Sequence, residues 1–411
     1  MASLRNFKLL KALLVLLAIF AGASRLSAQS ETANKNNLYA VVDSNNQFAI
    51  DLYRKINSKD TEKNIFVSPF SVSTALAMTY EGSRGNTRKQ MSGVLHLDMS
   101  DVDRQSGFSA LLAETSAGPG KHYKLNVANA LWGQKGFHFE APFLSATGKY
   151  YGGALNLVDF KLNTEGARQE INTWAEDHTA KMIRDLIPAR ALDRNARLVL
   201  TNAIYFKGTW ASQFKPLFTK DAPFNVSKTV KVQTPMMHQT GHFRFIKESG
   251  VSAIELPYAD DDLSMIAILP DGDIDKMGES LTLDKIRQLS VDMFSQDVDV
   301  YLPRFKMEAG YGLGGMLSDM GMPDAFIENL ANFSGMTGQP DLYIDKVIHK
   351  ARIEVNEEGS EAAAATAVIM VTKAMMTDKA VFRADRPFLF MIVHNKTGAI
   401  LFMGRLSNPS Q

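Results

Sequence analysis

Residues 197–206, RLVLTNAIYF, form a nearly unbroken run of apolar and β-favouring residues. A strand of that composition has no polar face to offer water, so other elements must cover it on both sides. The chain therefore needs an internal sheet with a layer against each face, and the remaining sequence has to supply those layers.

Further strands are legible. VDVYLPRF alternates Val298, Val300 and Leu302 on one face, and FLFMIVHNKTGAILFMGRL reads as two buried strands joined by a polar turn from Asn395 to Gly398. Helices are legible by their four-residue apolar spacing, as at Phe48, Leu52 and Ile56 in NQFAIDLYRKI. SPFSVSTALAMTYEG predicts a second helix, with Ser68 as N-cap, Pro69 in the first helical position and Gly82 as the stop. INTWAEDHTAKMIRDLIP predicts a third, ended by Pro188. Helices crowd the first half and strands the second, which is an α+β pattern rather than a regular βαβ one. A length of 411 residues admits two domains or one large one. Without repeats, linkers or composition shifts, residues 38–411 read as one unit.

The N-terminus reads differently. Arg5, Lys8 and Lys11 precede the apolar run ALLVLLAIFAGA and the small-residue stretch LSAQS, the pattern of a secretory signal cleaved after Ala28. The apolar run is too short for a spanning helix, which needs about 20 residues. The expectation is a protein that is secreted, extracellular or periplasmic. Loss of residues 1–28 removes four basic groups and no acidic one, taking the formal charge from +1 to −3. Such a balance calls for neither nucleic acid nor a membrane surface as partner.

The sequence has no cysteine, which excludes thiol nucleophiles, thiolate metal sites and disulfides, and in an exported protein fits a bacterial source. The chain contains no GxSxG, HExxH or phosphate-loop motif, and no cofactor is implied. GYGLGG, residues 310–315, lacks a βαβ setting and reads as the start of a helix. His238 and His242 have strand-like flanks and a glycine between them, so they present no shared helical face to a metal. His349 sits inside a β-like run as a hydrogen-bonded core histidine, and Asp260, Asp261 and Asp262 read as a turn.

One segment is conformationally undecided. In EEGSEAAAATAVIMVTKAMM, Glu357 to Met376, the alanines favour helix while Val368, Ile369, Val371 and Thr372 favour strand. Between Glu361 and Asp378 the only charge is Lys373.

Five stretches in order, NIFVSPFSVSTALAMTYEGSRGNT, LTNAIYFKGTW, ELPYADDDLSMIAILPD, LYIDKVIHKARIEVNEEGSEAAAAT and FRADRPFLFMIVHNKTGAILFMGRL, resemble the corresponding segments of serpins. The resemblance covers essentially all of residues 38–411. It implies a single α+β domain of three β-sheets and about nine helices, with an exposed reactive loop at about residues 357–382. The implied function is suicide inhibition of serine proteases by a monomer: the loop is cleaved, then inserts into the central sheet before the acyl-enzyme hydrolyses. An alternative within the family is a non-inhibitory carrier or chaperone. A hydrolase would need a nucleophile, base and acid that the sequence does not offer.

The residues suit insertion. Strand alternation sends Ser360, Ala362, Ala364, Thr366, Val368 and Met370 to one face, all uncharged. The ladder bonds and apolar burial of an added strand supply on the order of 10 kcal/mol. By resemblance, the hinge comprises Glu358, Gly359, Ser360, Glu361, Ala362, Ala363, Ala364, Ala365 and Thr366, with Gly359 as pivot. The reactive bond falls at Lys373–Ala374, where an ammonium suits a trypsin-like pocket. Val371 and Thr372 would suit an elastase-like protease, and Met375–Met376 offers a further bond. Ser68, Ser71, Asn202 and His349 correspond to a polar cluster beneath the central sheet, and Trp210 to the aromatic at its top. None of them is implied to be catalytic.

Overall fold

The computed structural model describes residues 34–59, 63–116, 118, 120–360 and 379–411. Ten α-helices occur among the described residues, one more than about nine. The first spans 34–57 and buries Phe48, Leu52 and Ile56. The helix Pro69–Gly82 starts as the sequence predicts, with the Ser68 side chain accepting from Ser71 N–H. Gly82 ends it for a packing reason: a Cβ there would lie 2.1 Å from Met336 Cγ.

The third predicted helix stops ten residues early, covering Thr164–His178. Ala180, Lys181 and Asp185 then take left-handed backbone conformations, and the chain runs on as an irregular strap. The strap buries Ile183, Leu186 and Ile187, and Asn172 of the helix clasps Ile187 through both its N–H (2.8 Å) and its carbonyl (3.0 Å). Burial of those three side chains against the sheet competes with helix continuation and wins.

By hydrogen bonding the described strands make two networks. The larger has nine strands, and the 18-residue strand Lys231–Glu248 belongs to two regions of it, pairing first with Lys220–Asn225 and Phe294–Pro303 and then with Val251–Pro257. The three expected sheets are thus met with two of them sharing one long strand. The smaller network runs in the order Phe305–Gly312, Ile344–Val355, Leu198–Thr209, Tyr123–Gln134, Ala154–Val158, with Gly359–Ser360 added against Leu198–Thr209.

Leu198–Thr209 is the doubly covered strand that the sequence demanded. Leu198, Leu200, Ile204 and Phe206 face a main core shared with the larger sheet and the helix Pro69–Gly82. Val199 and Ala203 face a second, smaller core beneath the helix Thr164–His178 and its strap. It pairs with Ile344–Val355 in parallel, from Ile344 opposite Leu198 to Arg352 opposite Tyr205.

Candidate functional site

A polar row crosses the smaller sheet beneath its centre. Register sets Tyr311, His349, Asn202 and Asn129 side by side on four neighbouring strands. His349 is fully buried and its Nε2 accepts from Ser68 N–H at 3.1 Å, which leaves Nδ1–H to donate to Asn202 Oδ1. The Asn202 amide donates in turn to Ser71 Oγ and Asn129 Oδ1, and Ser71 Oγ donates to Asn129 Oδ1 at 2.8 Å. Burial pushes the His349 pKa down to about 3, so the ring is neutral at physiological pH. The Ser68 hydroxyl donates to Leu401 O at 2.7 Å and not to His349. Serine and histidine here are therefore not a nucleophile and its base. The structure brings together Ser68, Ser71, Asn202 and His349, and adds Asn129, which sequence reasoning missed. Its signal was a lone amide in the apolar run ANALW, matched across the pair by Asn202.

A second constellation lies where Leu198–Thr209 ends. Gly359 pairs with Thr209 and Ser360 with Gly208, antiparallel, so two of the predicted hinge residues already sit in the sheet. Gly359 has φ +148°, and a Cβ there would lie 2.0 Å from Gly208 O, so only glycine passes. Buried Ser360 shares a 3.0 Å hydrogen bond with Tyr258 OH. Tyr258 stacks on Trp210 at 4.5 Å between ring centroids. Trp210 binds the turn between Val355 and Gly359 twice: Nε1–H donates to Asn356 O at 3.0 Å and its backbone N–H to Glu358 O at 2.8 Å. Just upstream, the Glu357 carboxylate pairs with Arg304 and accepts from Thr219 Oγ1 at 2.7 Å. Burial works to raise its pKa, but the bonds from Arg304 and Thr219 outweigh it and hold the group below the usual carboxylate range. Tyr258, Arg304 and Glu357 were not singled out from the sequence.

Glu361, Ala362, Ala363, Ala364, Ala365 and Thr366 of the hinge, the Lys373–Ala374 bond, Val371, Thr372 and Met375–Met376 lie outside the described residues, as do residues 1–28. His238 and His242 are on a strand and pair with Asp299 at 3.8 Å and Asp297 at 2.7 Å; no cluster able to hold a metal occurs among the described residues. Of GYGLGG, Gly310 to Gly312 end the strand Phe305–Gly312 and only Gly314 and Gly315 begin a helix, and no described helix is long and apolar enough to cross a membrane.

The family model described as "Serpin (serine protease inhibitor)" matches residues 43–409. The chain belongs to the serpin family. This serpin is 45% identical over 370 residues to a leukocyte elastase inhibitor of Xenopus tropicalis, covering 88% of its own length and 97% of the relative's. It is 41% identical over 375 residues to the human leukocyte elastase inhibitor, covering 89% and 98%. The solved structure of human thyroxine-binding globulin with thyroxine superposes with a TM-score of 0.83 at 31% identity, over 91% of this chain and 100% of that one. Family membership and inhibitor relatives agree that the chain is not an enzyme.

The relatives overturn one expectation. Leukocyte elastase inhibitors are intracellular serpins that lack signal peptides, so the secreted, extracellular or periplasmic location read from residues 1–28 is withdrawn. The bacterial source inferred from the missing cysteines is not supported either, since relatives of 41–45% identity come from frog, human and the archaeon Thermococcus kodakarensis alike. The physical reason is that charge followed by an apolar run is a compositional signal, and freedom from cysteine suits any reducing compartment.

Proposed function

We propose that this serpin inhibits serine proteases by inserting its cleaved loop between Leu198–Thr209 and Ile344–Val355, acting as one domain over residues 38–411 and as a monomer without a cofactor. The observation that carries this is the pairing of Gly359 and Ser360 with Thr209 and Gly208 at the mouth of that parallel seam. Continuing the register sets Ala362 opposite Phe206, Ala364 opposite Ile204, Thr366 opposite Asn202, Val368 opposite Leu200 and Met370 opposite Leu198. Those partners face the main core, so Ala362, Ala364, Val368 and Met370 meet apolar neighbours and the Thr366 hydroxyl meets the polar row. Ser68, Ser71, Asn202 and His349 act as the bolt that the strands must open, and Trp210 holds the entrance. The reactive loop spans about residues 357–382.

The relatives' names favour an elastase-like target, reached through Val371 or Thr372. The trypsin-like preference drawn from Lys373 has no such support and stands alone on its being the one charge between Glu361 and Asp378. Incubation with an elastase and with trypsin, followed by denaturing electrophoresis and the mass of the released C-terminal peptide, tests both. A denaturant-resistant complex is expected with the elastase, and cleavage after Lys373 in a trypsin complex would favour trypsin instead.

A cavity of about 780 Å³ between the helices 34–57 and Leu283–Asp292, floored by Ile266 and Ile400, favours a carrier as second reading, as does the likeness to thyroxine-binding globulin. Against it stand the small hinge residues, which a carrier does not need. Cleavage without any trapped complex, by either protease, would support the carrier.

A further inference from the structure

The strand Ala154–Val158 ends the smaller network, and nothing among the described residues pairs with its outer side. An open edge invites pairing, and proteins defend such edges with charge, proline, a bulge or brevity. Other ends in this fold are defended in that way. Phe305–Gly312 carries Lys306 and Glu308, Ala380–Arg383 carries Arg383, and Ile65–Val67 has three residues. Ala154–Val158 reads ALNLV, without charge or proline, and pairs with Tyr123–Gln134 in unbroken register.

Which groups face outwards follows from one bond. Val158 O accepts from Lys135 N–H at 2.8 Å, so Val158 directs its backbone groups inwards. Residues of a strand alternate in that respect, so Ala154 and Asn156 do the same, while Leu155 and Leu157 turn N–H and C=O to the open edge. The side chains differ between the two faces. Leu157 is 42% exposed, and Leu155 packs partly against the main core. Asn156 lies opposite Trp132, on the face of the smaller core, and its Nδ2 is buried without a hydrogen-bond partner. A buried donor left unmet is a standing cost that an acceptor on an added strand would remove.

We propose that Ala154–Val158 is a docking edge for an extended, uncharged segment of a partner protein, which bonds to the outward backbone groups of Leu155 and Leu157 and offers Asn156 an acceptor. Main-chain bonds supply the affinity of such an added strand, and the residue beside Asn156 supplies the selectivity. A second copy of this chain fits less well, because five paired residues fall short of the roughly 1,000 Å² that a stable contact between two such bodies needs. A peptide has no second body to seat. The edge lies two strands from Leu198–Thr209, so it is separate from the seam that would receive the cleaved loop.

The probe is a fluorescein-labelled peptide, Thr-Val-Leu-Asn-Leu-Val-Thr, titrated into the intact protein and read by polarisation. Saturable binding is expected, and the probe should slow hydrogen exchange at the Leu155 and Leu157 amides while Asn156, already bonded inwards, stays unchanged. Leu157→Pro removes one outward N–H and spares the inner ladder, and Leu157→Lys puts a charge on the edge; each should weaken binding at least about tenfold. Leu162→Lys, at a side chain 84% exposed just beyond the strand, should change nothing. Replacing the probe's asparagine by leucine should weaken binding about fivefold to the parent and not at all to Asn156→Ala. Absence of saturable binding, or equal weakening by Leu162→Lys, overturns the proposal. So does self-association of the parent that Leu157→Lys abolishes, which would make a second copy the occupant. Protein already cleaved in its loop should bind the probe as well as the intact protein does; loss of binding there would mean that the probe had entered the seam, and would overturn the docking edge while leaving the loop-insertion reading intact.

Discussion

At the residue scale, His349 ties the polar row to pH. Its folded pKa, about 3, lies below the ordinary value of 6.5, so the unfolded chain binds more protons between those limits. Stability is full above pH 6.5 and falls as pH drops towards 3, by about 1.4 kcal/mol per unit. Unfolding free energies from denaturant titrations at pH 7 and pH 5 should differ by about 2 kcal/mol, and His349→Gln should remove most of that difference. Burial lowers His394 as well and leaves a smaller slope of the same sign. An unchanged slope in the variant would mean that His349 titrates as an ordinary histidine. Gly359 makes a second case. Its left-handed φ and its approach to Gly208 O predict that Gly359→Ala loses both hinge pairs at a cost of about 1–3 kcal/mol, read as a lower unfolding midpoint. A midpoint equal to the parent's would show that the hinge does not depend on the sheet. That glycine was legible as a pivot because of the backbone freedom it supplies and the family resemblance of its segment. Asn129 was not, since one amide in a strand has no meaning until register sets it beside Asn202.

At the scale of elements, alternation told which loop residues share a face, and register now tells what that face meets. Thr366→Arg would push a guanidinium towards buried Asn202, where an unpaired charge costs several kcal/mol. The variant should be cleaved as an ordinary substrate that leaves the protease active, whereas Glu361→Arg, opposite half-buried Lys207 near the sheet's end, should still inhibit. Equal trapping by both variants would rule out the proposed register. Secondary structure was readable wherever a local signal decided it: Ser68 capped its helix, Leu198–Thr209 formed its covered strand, and Asn395–Gly398 made its turn. It failed at 179–188, where local propensity favoured a helix and packing of Ile183, Leu186 and Ile187 on the sheet imposed a strap. Periodicity cannot tell an apolar stripe that continues a helix from one that lies flat across strands.

At the scale of the molecule, the proposed mechanism means that the intact protein stores the energy of a strand not yet added. Protein cleaved in the loop should melt about 10–20 °C above the intact protein, as calorimetry would read; coincident melting would exclude insertion. Strand directions explain why the store can be tapped at one place. Two junctions of the smaller sheet are parallel, Ile344–Val355 with Leu198–Thr209 and Tyr123–Gln134 with Ala154–Val158, and only the first adjoins the hinge; at the antiparallel junctions a newcomer must run parallel to one of its neighbours. Between Ile344–Val355 and Leu198–Thr209 the directions agree, so a strand that turns back after Val355 opposes both of its new neighbours at once. The order of the chain has therefore left a mismatch of parity beside its own hinge, and on the proposed mechanism a cut in the loop lets the same polypeptide correct it.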